Sequence, residues 1–244
     1  MGDTPMSAYE VITSHRTIRR YKEHEMPREH LEKIIRSAIR APSSSNLQAY
    51  CMIRIIDREL RRKIAELAGN QEHIIQASEF FVFVADLYRL IKVCEEFGGK
   101  AVEPNYLMLY VASVDAAIAA QNMVITAEEL GYGTCYIGAI QNNPCEIAEL
   151  LNLPRYTYPL FGLTIGIPDE DPALRPRLPE DAIVHIDRYP SDDGNIKIAL
   201  TAFKGTDFYD SFRRRISRYY SAGGRYRERY KKMRDCLISR GFTL

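Results

Sequence analysis

The segment from Asn105 to Leu130 constrains the fold of this sequence more than any other feature. It is rich in alanine and apolar on most sides, and Gly131 follows it, so it predicts one long helix. A helix that is apolar all round has to be covered all round, at the centre of a large core or at a subunit interface. Asp115 and other polar residues interrupt the run, which favours a buried helix over a membrane span.

A second apolar run lies within Ser78–Ala85 and predicts a strand that is buried on both faces. Shorter runs predict four further strands, namely Tyr50–Ile56, Thr134–Ile140, Tyr158–Ile165 and the short Ile183–Ile186. Other segments predict helices, namely Ser7 to about His15, a helix that begins at Pro27, Asp57–Ala68, Pro144–Leu151, Asp207–Tyr220 and Tyr226–Arg240. Helices and strands interleave, with helix in excess, which predicts one α+β or α/β domain with long helices packed on a sheet.

The length of 244 residues allows one large domain or two small ones. We find no internal repeat and no linker-like stretch, which favours a single domain of residues 1–244. Residues 168–244 are then a C-terminal extension of that domain that carries the basic helices.

Net charge is +1, but it is unevenly distributed. Residues 204–240 contain 12 Lys and Arg against 4 Asp and Glu, an excess of eight positive charges. Tyrosines are interleaved with them, and basic helices with aromatic residues can bind a nucleic-acid backbone and stack on bases. A nucleic-acid-binding protein is therefore one alternative function, and it would use Tyr219, Tyr220, Tyr226 and Tyr230.

The five cysteines are scattered and odd in number, without a C-x-x-C pair. This pattern predicts free thiols in a reducing compartment, and it predicts neither a disulfide framework nor a structural zinc site. We predict no metal. The first 25 residues lack the apolar run of a signal peptide, so the expected location is the cytoplasm.

Several common catalytic motifs are absent from the sequence. There is no G-x-G-x-x-G after a strand, no G-x-x-x-x-G-K-[ST] and no G-x-S-x-G. These absences argue against a Rossmann dinucleotide site, a P-loop NTPase and an α/β-hydrolase.

The most prominent polar cluster is His15-Arg16-Thr17-Ile18-Arg19-Arg20, where a helix gives way to an extended stretch. Two arginines, an imidazole and a hydroxyl can surround a phosphate with charge-assisted hydrogen bonds. A solvated basic turn would have the same composition. Four weaker clusters accompany it, namely the loop Ser43–Gln48, Gln71–His73, Tyr136–Ala139 and Arg175–Arg177. Each alone is compatible with an ordinary loop or turn, but together they suit a phosphorylated, hydrogen-bonding aromatic cofactor.

Six motifs in order also carry a resemblance to a known family. They are HRTIRRY (15–21), RAPSSSNLQ (40–48), QEHIIQASEF (71–80), CYIGAIQNN (135–143), PLFGLTIGIP (159–168) and RPRLP (175–179). With these motifs the sequence resembles the flavin-dependent nitroreductase superfamily, and within it the nitroreductase A / flavin reductase P subgroup.

The resemblance implies an α+β, nitroreductase-like fold with a central mixed, mainly antiparallel sheet flanked by long helices. It implies an intertwined homodimer with two FMN sites at the subunit interface, and NAD(P)H as electron donor. It also implies a ping-pong cycle in which hydride passes to flavin N5 and then to nitroaromatics, quinones or free flavin. Within the family, a dedicated flavin reductase or a reductive dehalogenase are alternatives. The chemistry belongs to the flavin, so we nominate no catalytic side chain.

The resemblance assigns cofactor contacts residue by residue. His15, Arg16 and Thr17 match phosphate and ribityl contacts, and Arg19 matches a contact near the pyrimidine edge of the flavin. Ring contacts fall on the middle clusters, and a basic pair comes late in the chain. The predicted FMN-binding residues are His15, Arg16, Thr17, Arg19, Ser43, Ser45, Gln71, His73, Tyr136, Gly138, Ala139, Arg175 and Arg177. Of these, Ser43 and Ser45 are expected to reach the flavin of the other subunit.

The subgroup also uses arginines near the C-terminus to hold the 2′-phosphate of NADPH. Arg225 and Arg227, beside a Gly-Gly turn, are our candidates, and they favour NADPH over NADH. The segment from Arg89 to Pro104 is expected to cover the pocket and influence the choice of acceptor.

Overall fold

The computed structural model describes residues 6–243. The chain divides into two compact units, one formed by residues 1–172 with 229–244 and the other by residues 173–228. The single domain of residues 1–244 stays a prediction, and each unit is described by itself.

The first unit is built on a four-stranded sheet. Each strand pairs antiparallel with its neighbours, in the order β1-β2-β4-β3. Parallel pairing occurs at isolated bridges, such as Thr17 with Thr134. The strands are β1 (Tyr50–Arg54), β2 (Glu79–Asp86), β3 (Gly133–Ile137) and β4 (Thr157–Gly166). All eight residues of β2 are buried, which confirms the predicted doubly covered strand.

Ten α-helices occur in the described residues. They are α1 (Ala8–Thr13), α2 (Arg28–Ile39), α3 (Arg58–Leu67), α4 (Glu72–Gln76), α5 (Leu87–Glu96), α6 (Tyr106–Glu129), α7 (Pro144–Leu150), α8 (Gly194–Thr201), α9 (Phe208–Tyr220) and α10 (Arg225–Ser239). The capping box of Ser7 and Glu10 starts α1, and the side chain of Asp57 caps α3. The sequence patterns do not predict α4, α5 and α8.

The sheet lies between two layers of helices, and alternation along β2 decides which residue faces which layer. Phe81 and Phe83 pack with α2 and α6 on one face. Phe80 and Val82 pack with α3, α4 and α7 on the other. Because side chains alternate along a strand, a continuous apolar run fills both cores at once.

Helix α6 is the longest element, as predicted, and the side chain of Asn105 caps its first turn. Most of its alanines are buried, and Ala116 and Ala120 pack fully buried against the sheet and α2. In the described chain it is also the one helix long and apolar enough to cross a membrane, a property that the core helix of a soluble protein shares. Its packing in this structure is that of a core helix.

Two predicted strands need correction. The strand expected at Thr134–Ile140 ends at Ile137, because Gly138–Asn142 turns into a 3₁₀ helix. The strand expected at Ile183–Ile186 is wrong: a 3₁₀ turn occupies Glu180–Ala182, and Ile183 and Ile186 are exposed. Three apolar side chains are too weak a signal for a strand when no neighbouring strand pairs with them.

The prediction that all cysteines are free thiols is also wrong for one pair. Cys145 in α7 and Cys236 in α10 form a disulfide, although they are 91 positions apart in sequence, and their Cα atoms are 5.3 Å apart. Packing of α10 against α7 brings them together, and sequence spacing carries no sign of it. Cys51 and Cys94 are free thiols, and Cys135 is buried outside this disulfide.

Candidate functional site

The basic segment His15–Arg20 lies extended along the outer edge of β3. The backbone N–H of Ile18 donates to the carbonyl of Thr134 at 2.9 Å, and Thr17 forms a parallel bridge with Thr134. Ile18 is buried while Arg16 and Arg19 are exposed. The apolar residue therefore anchors the segment and leaves guanidinium groups at the surface.

Acidic residues after β4 fix this segment from the other side. The Glu170 carboxylate accepts hydrogen bonds from the backbone N–H groups of Arg19 and Arg20, and Asp171 pairs with Arg16 at 3.2 Å. Asp171 is almost fully exposed, so this ion pair is screened and weak. The Arg19 guanidinium has no hydrogen-bond or ion-pair partner within residues 6–243. The segment thus offers cations to an anionic ligand.

The side chain of His15 points to a carboxylate from α6. Its Nδ1 lies 2.7 Å from Oε1 of Glu128, and the same oxygen accepts a hydrogen bond from Oγ1 of Thr134, also at 2.7 Å. Glu128 is not among the site residues predicted from the sequence. A glutamate just before the Gly131 cap of an apolar helix is a weak signal that points to no ligand.

The end of β3 presents a flat surface. Tyr136 is 38% exposed, its ring packs edge-on against Phe161, and its hydroxyl donates to Gln121 on α6 at 3.2 Å. Burial, with a smaller contribution from the charge of Glu128, raises the pKa of Tyr136, so the phenol keeps its proton. A Cβ on Gly138 would meet no atom within 4 Å. A planar ring can therefore approach the backbone here closely.

The loop that carries Ser43 and Ser45 is held in an unusual backbone conformation. Ser45, Asn46 and Gln48 all have left-handed φ angles, near +50°. Such angles are disfavoured for residues with a side chain and persist only when surrounding contacts impose them. The buried carboxylate of Asp115 supplies such contacts, because it accepts hydrogen bonds from the backbone of Ser44 and Ala49.

Gln71 and His73 lie at the start of α4. Gln71 precedes the helix as its N-cap residue, and His73 is only 6% exposed, with its Nε2 3.9 Å from Sγ of Cys135. Burial and the charge of Arg19 lower the pKa of His73, so the ring is neutral at pH 7. The structure places His73 behind β3, within the core. Its predicted contact with a cofactor stays a prediction.

The late basic residues belong to the second unit. Arg177 donates to the carbonyl of Arg175, and Arg227 donates to the carbonyl of Ala222. Arg225 begins α10. Whether these arginines reach the N-terminal segment stays a prediction.

Two cavities of the first unit bear on these residues. One of about 530 Å³ is lined by Tyr21, His24 and four arginines of β1 and α3, and it contains no predicted site residue. A smaller one of about 230 Å³ lies beside Arg16 and Glu128. The candidate site is an open surface in the single chain. Within residues 6–243, no group of three or more His, Cys, Asp and Glu residues is placed to hold a metal ion.

The arrangement fits a phosphorylated flavin. The N-terminal segment supplies cationic donors for a phosphate, and the end of β3 supplies a flat, half-apolar surface with an open backbone position. His15, Thr17 and Tyr136 are brought together on one edge of the sheet, whereas Ser43 and Ser45 lie on a loop held by Asp115.

Comparison with a family model gives a match over residues 12–167, described as "Nitroreductase family". This match covers well over half of the chain and includes all predicted site residues except those in the second unit.

Individual proteins give matching results. The chain is 39% identical over 204 residues to "FMN reductase (NADPH)" of Bacillus subtilis, with 82% of each chain covered. It is 41% identical over 185 residues to "Oxygen-insensitive NADPH nitroreductase" of Salmonella typhimurium, with 75% of each covered. Among solved structures, the "hypothetical oxidoreductase YcnD" of Bacillus subtilis superposes with a TM-score of 0.88 at 34% identity, covering 97% of this chain and 98% of that one. None of these comparisons supports the nucleic-acid-binding alternative.

Proposed function

The chain belongs to the nitroreductase family, and from that membership we propose that it is an FMN-dependent oxidoreductase that uses NAD(P)H. Its acceptors are small molecules such as nitroaromatics, quinones or free flavin. The observation that carries the proposal is the placement of the basic segment 15–20 along β3, the strand that leads into the open backbone position of Gly138.

The side chains of this chain would bind and orient the cofactor. Arg16 neutralises the phosphate, and His15 and Thr17 add hydrogen bonds to it or to the ribityl chain. Arg19 contacts the flavin near its pyrimidine edge. Tyr136 and Gly138 form the surface against the ring. FMN supplies the hydride chemistry when bound, while the protein supplies position and electrostatics.

NADPH is the favoured donor. Two of the similar proteins carry NADPH in their names. Arg225 and Arg227 at the start of α10 remain our candidates for holding its 2′-phosphate, since guanidinium groups bind phosphates well.

The assembly is a homodimer in the cytoplasm. Helix α6 supports this proposal, because Leu107 and Tyr110 on its first half are mostly exposed although the helix is apolar. A second copy would cover this surface and bring the Ser43–Gln48 loop towards the neighbouring flavin.

The test is an absorption spectrum of the purified protein under anaerobic conditions. We expect a yellow protein with a flavin band that is bleached by NADPH and restored by a quinone or nitrofuran. NADH in place of NADPH should bleach the band more slowly. Colourless protein that cannot be reconstituted with FMN would contradict the proposal.

A further inference from the structure

Glu128 occupies a position that the stability of α6 does not explain. It lies in the last turn of the helix, where the partial negative charge of the helix terminus disfavours a carboxylate. Its side chain is only 13% exposed, so the charge is also partly removed from water. Both effects disfavour a glutamate here, and contacts with other segments have to offset them.

The contacts of Glu128 join two predicted parts of the cofactor site. One carboxylate oxygen accepts hydrogen bonds from Nδ1 of His15 and Oγ1 of Thr134, each at 2.7 Å. His15 begins the basic segment, and the fully buried Thr134 is the β3 residue to which that segment is bridged. The carboxylate thus fastens the segment to the strand by side chains, in addition to the backbone hydrogen bond from Ile18.

The same contact determines which ring nitrogen of His15 carries the proton and how the ring is oriented. An ionised carboxylate can only accept hydrogen bonds, so Nδ1 of His15 has to carry a proton. The ring is then fixed in orientation, with Nε2 on the side away from Glu128. Nε2 has no hydrogen-bond partner in the described part of the chain, and the side chain is 29% exposed. A ligand at the basic segment can therefore reach it.

We propose that Glu128 is a positioning residue for the phosphate of the cofactor, and that it acts through His15. By holding Nδ1, it directs Nε2 of His15 towards the phosphate that Arg16 neutralises. This inference rests on the proposed function. It adds a residue that makes no contact with the cofactor and that sets the geometry of one that does.

The experiment compares FMN with riboflavin, which lacks the phosphate. The full-length chain, freed of flavin by dialysis, is titrated with each flavin, and binding is followed by quenching of flavin fluorescence. We expect Glu128→Ala to weaken FMN binding about tenfold, because a charge-assisted hydrogen bond is lost and His15 is no longer fixed. Riboflavin affinity should stay within about twofold, since riboflavin lacks the phosphate towards which Nε2 of His15 is directed.

Three further variants test the route through His15. His15→Ala should weaken FMN binding about as much as Glu128→Ala, and the double variant should be no weaker than His15→Ala alone. Glu128→Gln should restore most of the affinity, because the amide oxygen accepts the same hydrogen bonds. Glu129→Ala, which removes the neighbouring exposed carboxylate, is the matched control and should bind both flavins normally.

The possible outcomes separate the inference about Glu128 from the proposed function. Equal loss of FMN and riboflavin in Glu128→Ala would show a merely structural role and overturn the inference. So would additive effects of the two alanine substitutions. Wild-type protein that binds neither flavin would instead refute the proposed function itself, and the inference with it.

Discussion

At His73, burial and the nearby charge of Arg19 both lower the pKa of the imidazole, while Glu170 opposes them weakly. In the unfolded chain this pKa returns to about 6.5. Below that pH the unfolded chain binds a proton that the native state resists, so stability falls as pH falls through about 6.5. Each unit of pKa difference is worth about 1.4 kcal/mol.

We therefore expect the urea midpoint of the wild type to drop between pH 7.5 and pH 5.5. His73→Gln should lose part of this dependence, because it removes the group that titrates. His24→Gln is the control, since His24 is exposed and should leave the dependence unchanged. A His73→Gln profile parallel to that of the wild type would refute the assignment.

Individual residues also show what the sequence could and could not reveal about the site. His15, Arg16 and Tyr136 stand out by composition and by family motif. Asp115 and Glu128 do not, because each is a single carboxylate on an apolar helix. Their partners, the backbone of Ser44 and the ring of His15, are 71 and 113 residues away in sequence. Only the packing of α6 brings these groups together.

Among the elements, α10 is attached to the rest of its unit in several ways. Lys232 donates to the carbonyl of Asn142 and to the side chain of Asn143. Arg240, which follows the helix, donates to the carbonyls of Thr157 and Leu153. The Cys145–Cys236 disulfide adds a covalent link to α7. The segment Gly138–Asn142, which follows the candidate ring surface, is thereby connected to the C-terminal helix.

Removing the disulfide should destabilise the oxidised protein by about 2–5 kcal/mol, because the cross-link restricts the unfolded chain. We expect Cys145→Ser to lower the urea midpoint and to abolish any effect of dithiothreitol. The wild type and Cys94→Ser should both lose stability when dithiothreitol is added, since Cys94 is a free thiol. Wild-type protein indifferent to the reductant would contradict this prediction.

Elements with strong local signals were predictable, and those that depend on distant partners were not. The run in β2 is apolar enough to require burial on both faces, and α6 is apolar along most of its length, so each carries a strong local signal. Helix α5 is not predicted from the sequence, because the segment after Arg89 is expected to be a pocket cover. In the structure Asp86 caps this helix, and Arg89 donates to the carbonyl of Tyr50. Whether residues 97–104 cover the pocket stays a prediction.

For the whole molecule, the family and the α+β class followed from ordered motifs and from the interleaving of helices and strands. The separate compact unit of residues 173–228 did not, because neither a linker nor a repeat marks it in the sequence. The apolar character of α6 predicts a large core or a subunit interface, and the structure adds that Leu107 and Tyr110 on this helix are exposed in the single chain.

The dimer can be tested on that surface. We expect the wild type to have about twice the 28.0 kDa chain mass in light scattering. Leu107→Glu, at a site 67% exposed in the single chain, should shift the protein towards monomer and weaken FMN retention, because it would bury a charge in the interface. Ile238→Glu, on exposed α10 surface, should leave the mass unchanged. A Leu107→Glu protein of unchanged mass would refute the proposed interface.

Three polar residues of α6 each contact a different segment of the candidate site: Asp115 holds the Ser44 backbone, Gln121 accepts from Tyr136, and Glu128 holds His15. They are spaced along one rigid helix. The directions in which their side chains point relative to one another therefore depend on the number of residues between them. Inserting or deleting one residue there would rotate one contact against the next by about 100°. Within this stretch, evolution can therefore exchange side chains far more freely than it can change the length of the helix.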